Sequence, residues 1–547
     1  MTKLKNGLRS EKNGWIYLSV RGTAMERGYA HGYLVLKEVN DIFKMLEFFF
    51  MQEYGYTIDF FTDIIGELYG PTIQQGYPEV YEEMQGIVKG LNAAGGKYSI
   101  ADIVMWNCFI SIGYMVGALD QLIQGNEILK AKYVHKQHAA VSQEHFGKGR
   151  GGGGGSNATA TTFFPNSKGG AEDRCTAFIA VGSYTHDGKI VCAHNSFDNF
   201  IAGQYYNMIL DIKPVKGNRM LMQTCPGWIW SGTDFYVTSA GLICTETTIG
   251  GFNQFALKDP VCCRIRQAMQ YAKILDDVLP YLTKNNGGDY ANSWLLGDTK
   301  SNTIMRIELG LEYVNVEKKT DGYFIGFNGP YDPRIRNLEC TNTGHYDIRR
   351  HQGARKVRLT QLMEQHKGTI DVKIGQDILG DHFDVYLNKI NPCSRTCCSH
   401  YDLDDRAFMS DPSRPKPYQP RGAVDGVVSD STMIKAMVLS CRWGSSCGLA
   451  FDKTDYFKKN INWQEYEPYI KDRPSQPWTD FTVTHLPVYS STNSISKSKG
   501  HSVSVKSQSQ VIKNTAFNKS SRKNLTQKKV EKIMKIKTKK KHKLVTI

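Results

Sequence analysis

Between Val39 and Phe50 apolar residues recur at three- and four-residue steps, as Val39, Ile42, Phe43, Leu46 and Phe50, with Asn40, Asp41, Lys44 and Glu47 between them. That spacing draws one apolar stripe along a helix. Tyr81, Met84, Ile87, Val88 and Leu91 repeat it among acidic neighbours, so residues 25–145 are predicted to be mainly helical. The period then changes. Thr176–Val181 and Lys189–Ala193 flank His186-Asp187-Gly188, a hairpin signal. Further strands are predicted at Phe235–Ser239, Leu242–Thr245, Thr303–Leu309, Tyr313–Lys318 and Tyr323–Phe327, with a Thr320-Asp321-Gly322 turn joining the last two. Helical spacing returns at Val357–His366 and Ser431–Ser440.

One stretch breaks the pattern. Residues 147–170 read GKGRGGGGGSNATATTFFPNSKGG, glycine and small polar residues that cannot bury enough surface to fold. The chain therefore divides into a mainly helical segment (1–146), a flexible linker (147–174), a strand-rich region (175–487) and a tail (488–547).

Composition adds little until the charge is located. With 41% hydrophobic and 22% charged residues, the 547-residue chain is of ordinary globular type, not collagen-like, coiled-coil or wholly disordered. From Ser491 onward there are sixteen Lys/Arg and a single acid, Glu531, which accounts for the whole net charge of +15. The tail reads as a disordered basic arm, with nucleic acid or an anionic membrane as its partner, or as a plain solvated extension. The apolar run Phe48–Met51 is far short of the ~20 residues a membrane span needs. The first residues lack the apolar stretch of a signal peptide, so a cytoplasmic location is preferred, with a lysosomal or secreted one left open.

Thirteen cysteines are too few for a disulfide scaffold. Cys393, Cys397, Cys398 and His400 form the one cluster resembling metal-ligand spacing, but no second pair with finger-like spacing accompanies it. A local disulfide or plain packing is the favoured reading, and neither metal nor cofactor is expected.

Attention falls on Cys175, which opens a strand directly after the linker. A nucleophile that must become a new N-terminus needs this setting: a preceding bond on a movable loop and a residue fixed on a rigid strand. Thiol attack on the Arg174 carbonyl, an N→S acyl shift and hydrolysis would free the α-amine of Cys175. Its ordinary pKa of about 8 suits a general base, and a thiol is the better nucleophile at that pH. A buried structural cysteine would occupy the same position.

The surrounding residues bear on that choice. Cys175-Thr-Ala-Phe, Ala193-His194-Asn195-Ser196-Phe197, Asp234-Phe235-Tyr236 with Gly241-Leu242, and Glu246-Thr247-Thr248-Ile249-Gly250 come in order. Upstream stand Gly28-Tyr-Ala-His31-Gly32 and Glu83-Met-Gln-Gly86-Ile87. Downstream stand Gly326-Phe327-Asn328, Ala354-Arg355-Lys356-Val357 and Arg473-Pro-Ser-Gln-Pro-Trp478. Together these resemble the phospholipase B-like proteins and, more loosely, the isopenicillin-N acyltransferase-like hydrolases, over roughly residues 15–485. Both are cysteine N-terminal nucleophile (Ntn) enzymes.

The resemblance implies an α+β fold, the Ntn four-layer αββα sandwich, with a helical N-terminal pro-region. It implies Cys175 as nucleophile in self-cleavage, between Arg174 and Cys175, and in turnover. It gives His194 an orienting role, Thr248 a hydroxyl near the nucleophile, Asn328 an oxyanion-hole amide and Arg355 a support for that amide or a clamp for an anionic group. Phe197 stands where the family commonly has a pocket tryptophan, so the indole N–H is lost. Trp228 and Trp230 are candidates for an apolar acyl pocket, or for core packing. The function implied is hydrolysis of an acyl amide or ester, lipids included. An acyltransferase, an unprocessed enzyme with His194 as base of an internal Cys175, and an inactive binding protein using the basic tail remain as alternatives.

Overall fold

The computed structural model describes residues 1–133, 175–341, 344–406 and 417–484. The expected linker 147–174 with Arg174, and the expected tail 488–547, lie outside these residues.

Helices follow one another through the first third: α1 (Ala24–Leu34), α2 (Leu36–Glu53), α3 (Ile58–Gly76), α4 (Pro78–Ala93), α5 (Ile100–Asn107), α6 (Phe109–Met115) and α7 (Leu119–Gln124). Thr23 starts α1 with a reciprocal cap, its hydroxyl accepting from the Glu26 amide while the Glu26 carboxylate accepts from the Thr23 amide. The stripes read from the sequence turn inward: Val39, Ile42, Leu46 and Phe50 on α2, and Met84, Ile87 and Leu91 on α4, are buried. Four glycines let α1 and α4 touch backbone to backbone. A Cβ on Gly28 would lie 2.1 Å from the Glu83 carbonyl oxygen, and one on Gly90 would lie 2.1 Å from that of Tyr29. Gly32 is equally tight, and a Cβ on Gly86 would lie 2.6 Å from the Met25 carbonyl oxygen, which explains the Gly-x-x-x-Gly spacing in both helices. No single helix among the described residues is long and apolar enough to cross a membrane, though the bent pair α5 and α6–α7 passes by length and composition.

Two sheets make the centre. The larger one runs β1 (Thr2–Leu4), β2 (Gly7–Lys12), β3 (Trp15–Gly22), β6 (Met208–Pro214), β7 (Met220–Thr224), β8 (Phe235–Thr238), β9 (Leu242–Thr248), β10 (Asn292–Asp298), β11 (Thr303–Leu309) and β12 (Val314–Lys319). The smaller runs β13 (Gly322–Gly326), β4 (Cys175–Val181), β5 (Val191–Asn199), β17 (Asp425–Asp430), β18 (Val438–Trp443) and β19 (Thr479–Thr482), with β16 (Arg421–Ala423) also on β5. A two-strand ribbon, β14 (Phe383–Asp384) and β15 (Lys389–Ile390), stands apart.

The sheets lie face to face, β4 and β5 packing on β9 and β4 reaching β10 and β11. Helices His351–Gln365 and Val372–Leu379 cover the outer side of the smaller sheet, and α1 with the Val261–Tyr271 helix covers the larger. The result is four layers, α-β-β-α, around an interior that is apolar on both inner faces.

Three features depart from the sequence pattern. The first 22 residues form strands, and β3 joins β6 in parallel, Ile16 opposite Met208. Trp15–Val20 is buried without a break, so it shows no alternation to read. The Thr320–Gly322 turn carries the chain from one sheet to the other, since β12 pairs with β11 but β13 pairs with β4. The helix expected over Ser431–Ser440 stops at Lys435, and Val438–Trp443 is a strand. Pairing to β17 and β19 on its two sides overrides the local spacing there.

Candidate active site

Cys175 is the first residue of β4, opposite Ser196 on β5, with Ala177 opposite His194. Strand alternation sorts the side chains. Ala177, Ile179 and Val181 pack in the core between the sheets, while Phe178 and Ala180 pack in a second core with the outer helices. Cys175 shares the inner face, and directly paired residues share a face, so Cys175, His194 and Ser196 all point between the sheets.

There Asp234 meets them. Its Oδ2 is 3.9 Å from the Cys175 Sγ. The Cys175 sulfur, a ring nitrogen of His194 and an Asp234 oxygen all lie within 4.8 Å of one another. Asp234 holds φ +66° and Asn328 holds φ +63°, the left-handed region that Asp and Asn tolerate best among residues with a Cβ. The two residues flanking the cysteine therefore both sit at sharp backbone turns, a conformation enriched where side-chain aim matters.

Asn328 is fixed by its neighbours. Its Oδ1 accepts from the Cys175 backbone nitrogen at 3.3 Å and from the Arg355 guanidinium at 2.8 Å, while its Nδ2 donates to the Thr248 carbonyl at 2.7 Å. Because a guanidinium only donates, Arg355 dictates which end of the amide faces the cysteine. The oxygen end does. An oxyanion-hole role would require an N–H in that place; Asn328 instead holds the backbone nitrogen of residue 175 through its oxygen.

Arg355 comes from the His351–Gln365 helix and is fully buried. It also donates to the carbonyl of Cys175 and, at 3.3 Å, to the Thr176 hydroxyl. Its guanidinium lies 5.2 Å from the centre of the Phe197 ring. Phe197 thus occupies the helix-facing side of β5, in a small cluster with Cys398 and Ala423, where it supports Arg355 from below.

His194 is fully buried, and neither ring nitrogen has a hydrogen-bond partner among the described residues. Burial pushes its pKa down to about 3, so the ring is neutral near pH 7. The Thr248 hydroxyl is 3.2 Å from the phenol of Tyr290, which reaches Asp234 at 3.1 Å and Glu246 at 2.6 Å. A phenol has one proton, so it donates to one carboxylate at a time.

Trp228 and Trp230 stack on each other, ring centres 5.6 Å apart, between α5 and the loop that leads to Asp234. Both are fully buried, and their N–H groups donate to the carbonyls of Trp106 and Asn107. Trp230 meets Tyr290 edge-on at 6.2 Å, one ring away from the carboxylates.

The structure therefore gathers Cys175, His194, Asn328, Arg355 and, through Tyr290, Thr248. Sequence alone assigns no role to Asp234 or Glu246, although both lie in stretches that carry the resemblance. Tyr290 has no sequence signal at all, since it precedes a strand that is buried on both faces. No disulfide joins Cys393, Cys397 or Cys398.

The family model described as Phospholipase B matches residues 44–485. The chain belongs to the phospholipase B family. Phospholipase B of Crotalus adamanteus is 27% identical over 289 residues, covering 47% of this chain and 49% of that protein. Phospholipase B-like 1 of Homo sapiens is 27% identical over 172 residues, 27% of this chain and 31% of the relative. Aligned in this way, the chain spans about half the length, or less, of these curated relatives. Among solved structures, a mutant of the conjugated bile acid hydrolase from Clostridium perfringens is similar over 49% of this chain and 89% of its own, at 11% identity and a TM-score of 0.29.

Proposed function

We propose that this phospholipase B family member is a self-processing Ntn hydrolase that cuts itself before Cys175 and then hydrolyses acyl amide or ester bonds, lipids among them. The observation that carries the reading is the contact between the Cys175 nitrogen and Asn328 Oδ1, with the sulfur of the same residue turned toward Asp234. Any buried backbone nitrogen needs an acceptor, but here the acceptor is a buried side chain fixed by Arg355, beside the thiol of the same residue. That arrangement suits a nitrogen that is freed to serve as the base for its own thiol.

In the first step the thiol attacks the carbonyl of residue 174 and the peptide nitrogen leaves, giving a thioester and a free amine on Cys175. Water then releases the upstream acid. In turnover the amine takes the thiol proton, the thiolate attacks the substrate acyl carbon, and the proton passes to the departing amine or alcohol. Water resolves the second thioester and regenerates the thiol. Asn328 orients the amine, Arg355 fixes Asn328 and the Cys175 carbonyl, and neutral His194 lies against the thiol without competing for its proton. Cys175 is 1% exposed in the uncut chain, so substrate entry follows cleavage.

Intact mass and N-terminal sequencing of the wild type beside Cys175→Ala test this. Two fragments are expected, the larger beginning Cys175-Thr-Ala-Phe and absent from the variant, with release of fatty acid from phospholipids or N-acyl amides by the cut form. A wild-type chain cut elsewhere, or acyl hydrolysis undiminished in Cys175→Ala, would overturn it.

A further inference from the structure

Away from the inter-sheet site, four metal-ligating side chains converge. His382 follows the Val372–Leu379 helix, Cys398 and His400 lie on the return from the β14–β15 ribbon, and Cys447 lies just past β18. One donor atom from each lies within 4.8 Å of all the others. The His400 Nε2 is 3.4 Å from the Cys398 sulfur and 3.4 Å from the Cys447 sulfur. A tetrahedral zinc ion with bonds of about 2.0–2.3 Å sets its ligands about 3.3–3.8 Å apart. Those two edges already have the length a bound ion requires.

Two further observations point the same way. The Nε2 of His382 is buried without a hydrogen-bond partner among the described residues, a cost that coordination would remove. The other nitrogen of His400, Nδ1, faces the Asp402 carboxylate at 3.4 Å. A carboxylate behind a ligating imidazole fixes its tautomer and orientation, as at zinc sites generally. Two thiols and two imidazoles suit zinc better than calcium or magnesium, which take oxygen ligands.

We propose that His382, Cys398, His400 and Cys447 form a structural zinc site. Sequence spacing singles out Cys393, Cys397, Cys398 and His400 and leads to no metal. The fold keeps two of these and replaces the others. Cys393 points to Asp384 at 3.6 Å, and Cys397 is buried in the core under the outer helices. The set gathered by the fold spans 66 positions, His382 to Cys447, with no finger-like spacing to betray it.

Four protein ligands leave no open position, so the site binds without catalysing. What it binds together matters to the cysteine centre. Cys398 packs on Phe197 beneath Arg355. The neighbouring Cys397 carbonyl and Ser446 hydroxyl accept from the side-chain amide of Asn195, the residue after His194. An ion here would clamp the 382–400 segment to the turn at Cys447 and so hold the floor of the candidate active site.

Metal analysis of the purified full-length protein, never exposed to chelator, tests this. About one equivalent of zinc per chain is expected, released when thiols are blocked by a mercurial reagent. His382→Gln and Cys447→Ser should each fall below a tenth of an equivalent, and Cys175→Ala should keep the full one, which separates this site from the Cys175 cluster. Should the variants not fold, cobalt exchanged into the wild type should give thiolate charge-transfer absorption and the strong visible bands of tetrahedral coordination. A Cys398–Cys447 disulfide found by peptide mapping, reduced thiols with no metal above background, or cobalt bound without thiolate bands would each overturn the proposal.

Discussion

The backbone nitrogen of Cys175 stands 3.3 Å from the side-chain oxygen of Asn328, and that oxygen also receives the Arg355 guanidinium at 2.8 Å. One amide thereby couples the nitrogen of residue 175 to a buried cation on a helix of the outer layer. If that nitrogen becomes the base, its aim depends on Asn328. Asn328→Ala removes the acceptor and is expected to slow release of the Cys175 fragment by about 10²-fold, the usual effect of misplacing a reacting group by an ångström. Asn328→Asp keeps both an acceptor and a tolerance for φ +63°, so it should retain more activity than Ala. A mass-spectrometric time course of cleavage reads both. Cleavage of Asn328→Ala at the wild-type rate would remove Asn328 from the mechanism.

Arg355 offers a sharper comparison, because lysine keeps the charge and loses the fork. The guanidinium donates to Cys175, Thr176 and Asn328 while lying over Phe197. An ammonium reaches fewer of these acceptors and stacks less well. Arg355→Lys is expected to cost about 2–3 kcal/mol, the range for one lost hydrogen bond to a charged group that leaves a buried acceptor behind. Urea unfolding should show a lower midpoint at unchanged slope. An unchanged midpoint would mean that lysine reproduces the whole network.

How much of this is legible in the sequence depends on whether the determining contacts are local. The amphipathic stripes of α2 and α4 repeat within one helix, so spacing alone exposes them. Cys175 is marked by its place after a glycine-rich stretch, and His194, Thr248, Asn328 and Arg355 by stretches that match in order. Tyr290 is different: its role arises only because β9 and β10 pair, Asn292 opposite Thr248, placing its phenol between two carboxylates. Likewise β3 reads as an apolar run of no particular period until β6 lies beside it. Alignment alone makes Phe197 a pocket residue, but strand parity puts it on the opposite face of β5 from the Cys175 thiol. Parity follows from register, and register is a tertiary fact.

The N-terminal segment is built into the body, and this bears on what cleavage would do. Beyond the β3–β6 pairing, α5 grips the loop before Asp234. Trp106 donates to the Pro226 carbonyl at 2.8 Å, and Asn107 accepts from the Ile229 amide at 2.9 Å. Glu83 on α4 is buried between Arg27 and Arg266, at 2.6 Å and 2.8 Å. The two fragments should therefore co-elute in gel filtration under native conditions and separate only in denaturant. Glu83→Ala leaves the buried Arg266 guanidinium without a carboxylate, while Arg27 keeps Glu79 at 2.9 Å; leaving a buried charge unpaired costs about 3–5 kcal/mol. It should lower the denaturant concentration at which the fragments part. Fragments that separate in native buffer would show that this shared core is not what joins them.

The buried imidazole of His194 makes the last prediction, on acid stability. Its pKa in the folded chain lies at about 3, against an ordinary value near 6.5 in the unfolded chain. Between those values the unfolded state binds a proton that the folded state refuses. Stability therefore falls as pH drops from about 6.5 toward 3, and the contribution is complete above 6.5. His194→Leu, of similar volume, cannot titrate. Carboxylates and other buried histidines such as His31 titrate alike in both proteins and cancel in the comparison. Relative to the variant, the wild type should lose about 1.4 kcal/mol for each pH unit across the window, read by urea unfolding at pH 7, 6, 5 and 4. Parallel stability curves would mean that His194 takes up a proton in the folded chain, and its neutral role beside the Cys175 thiol would fall with that result.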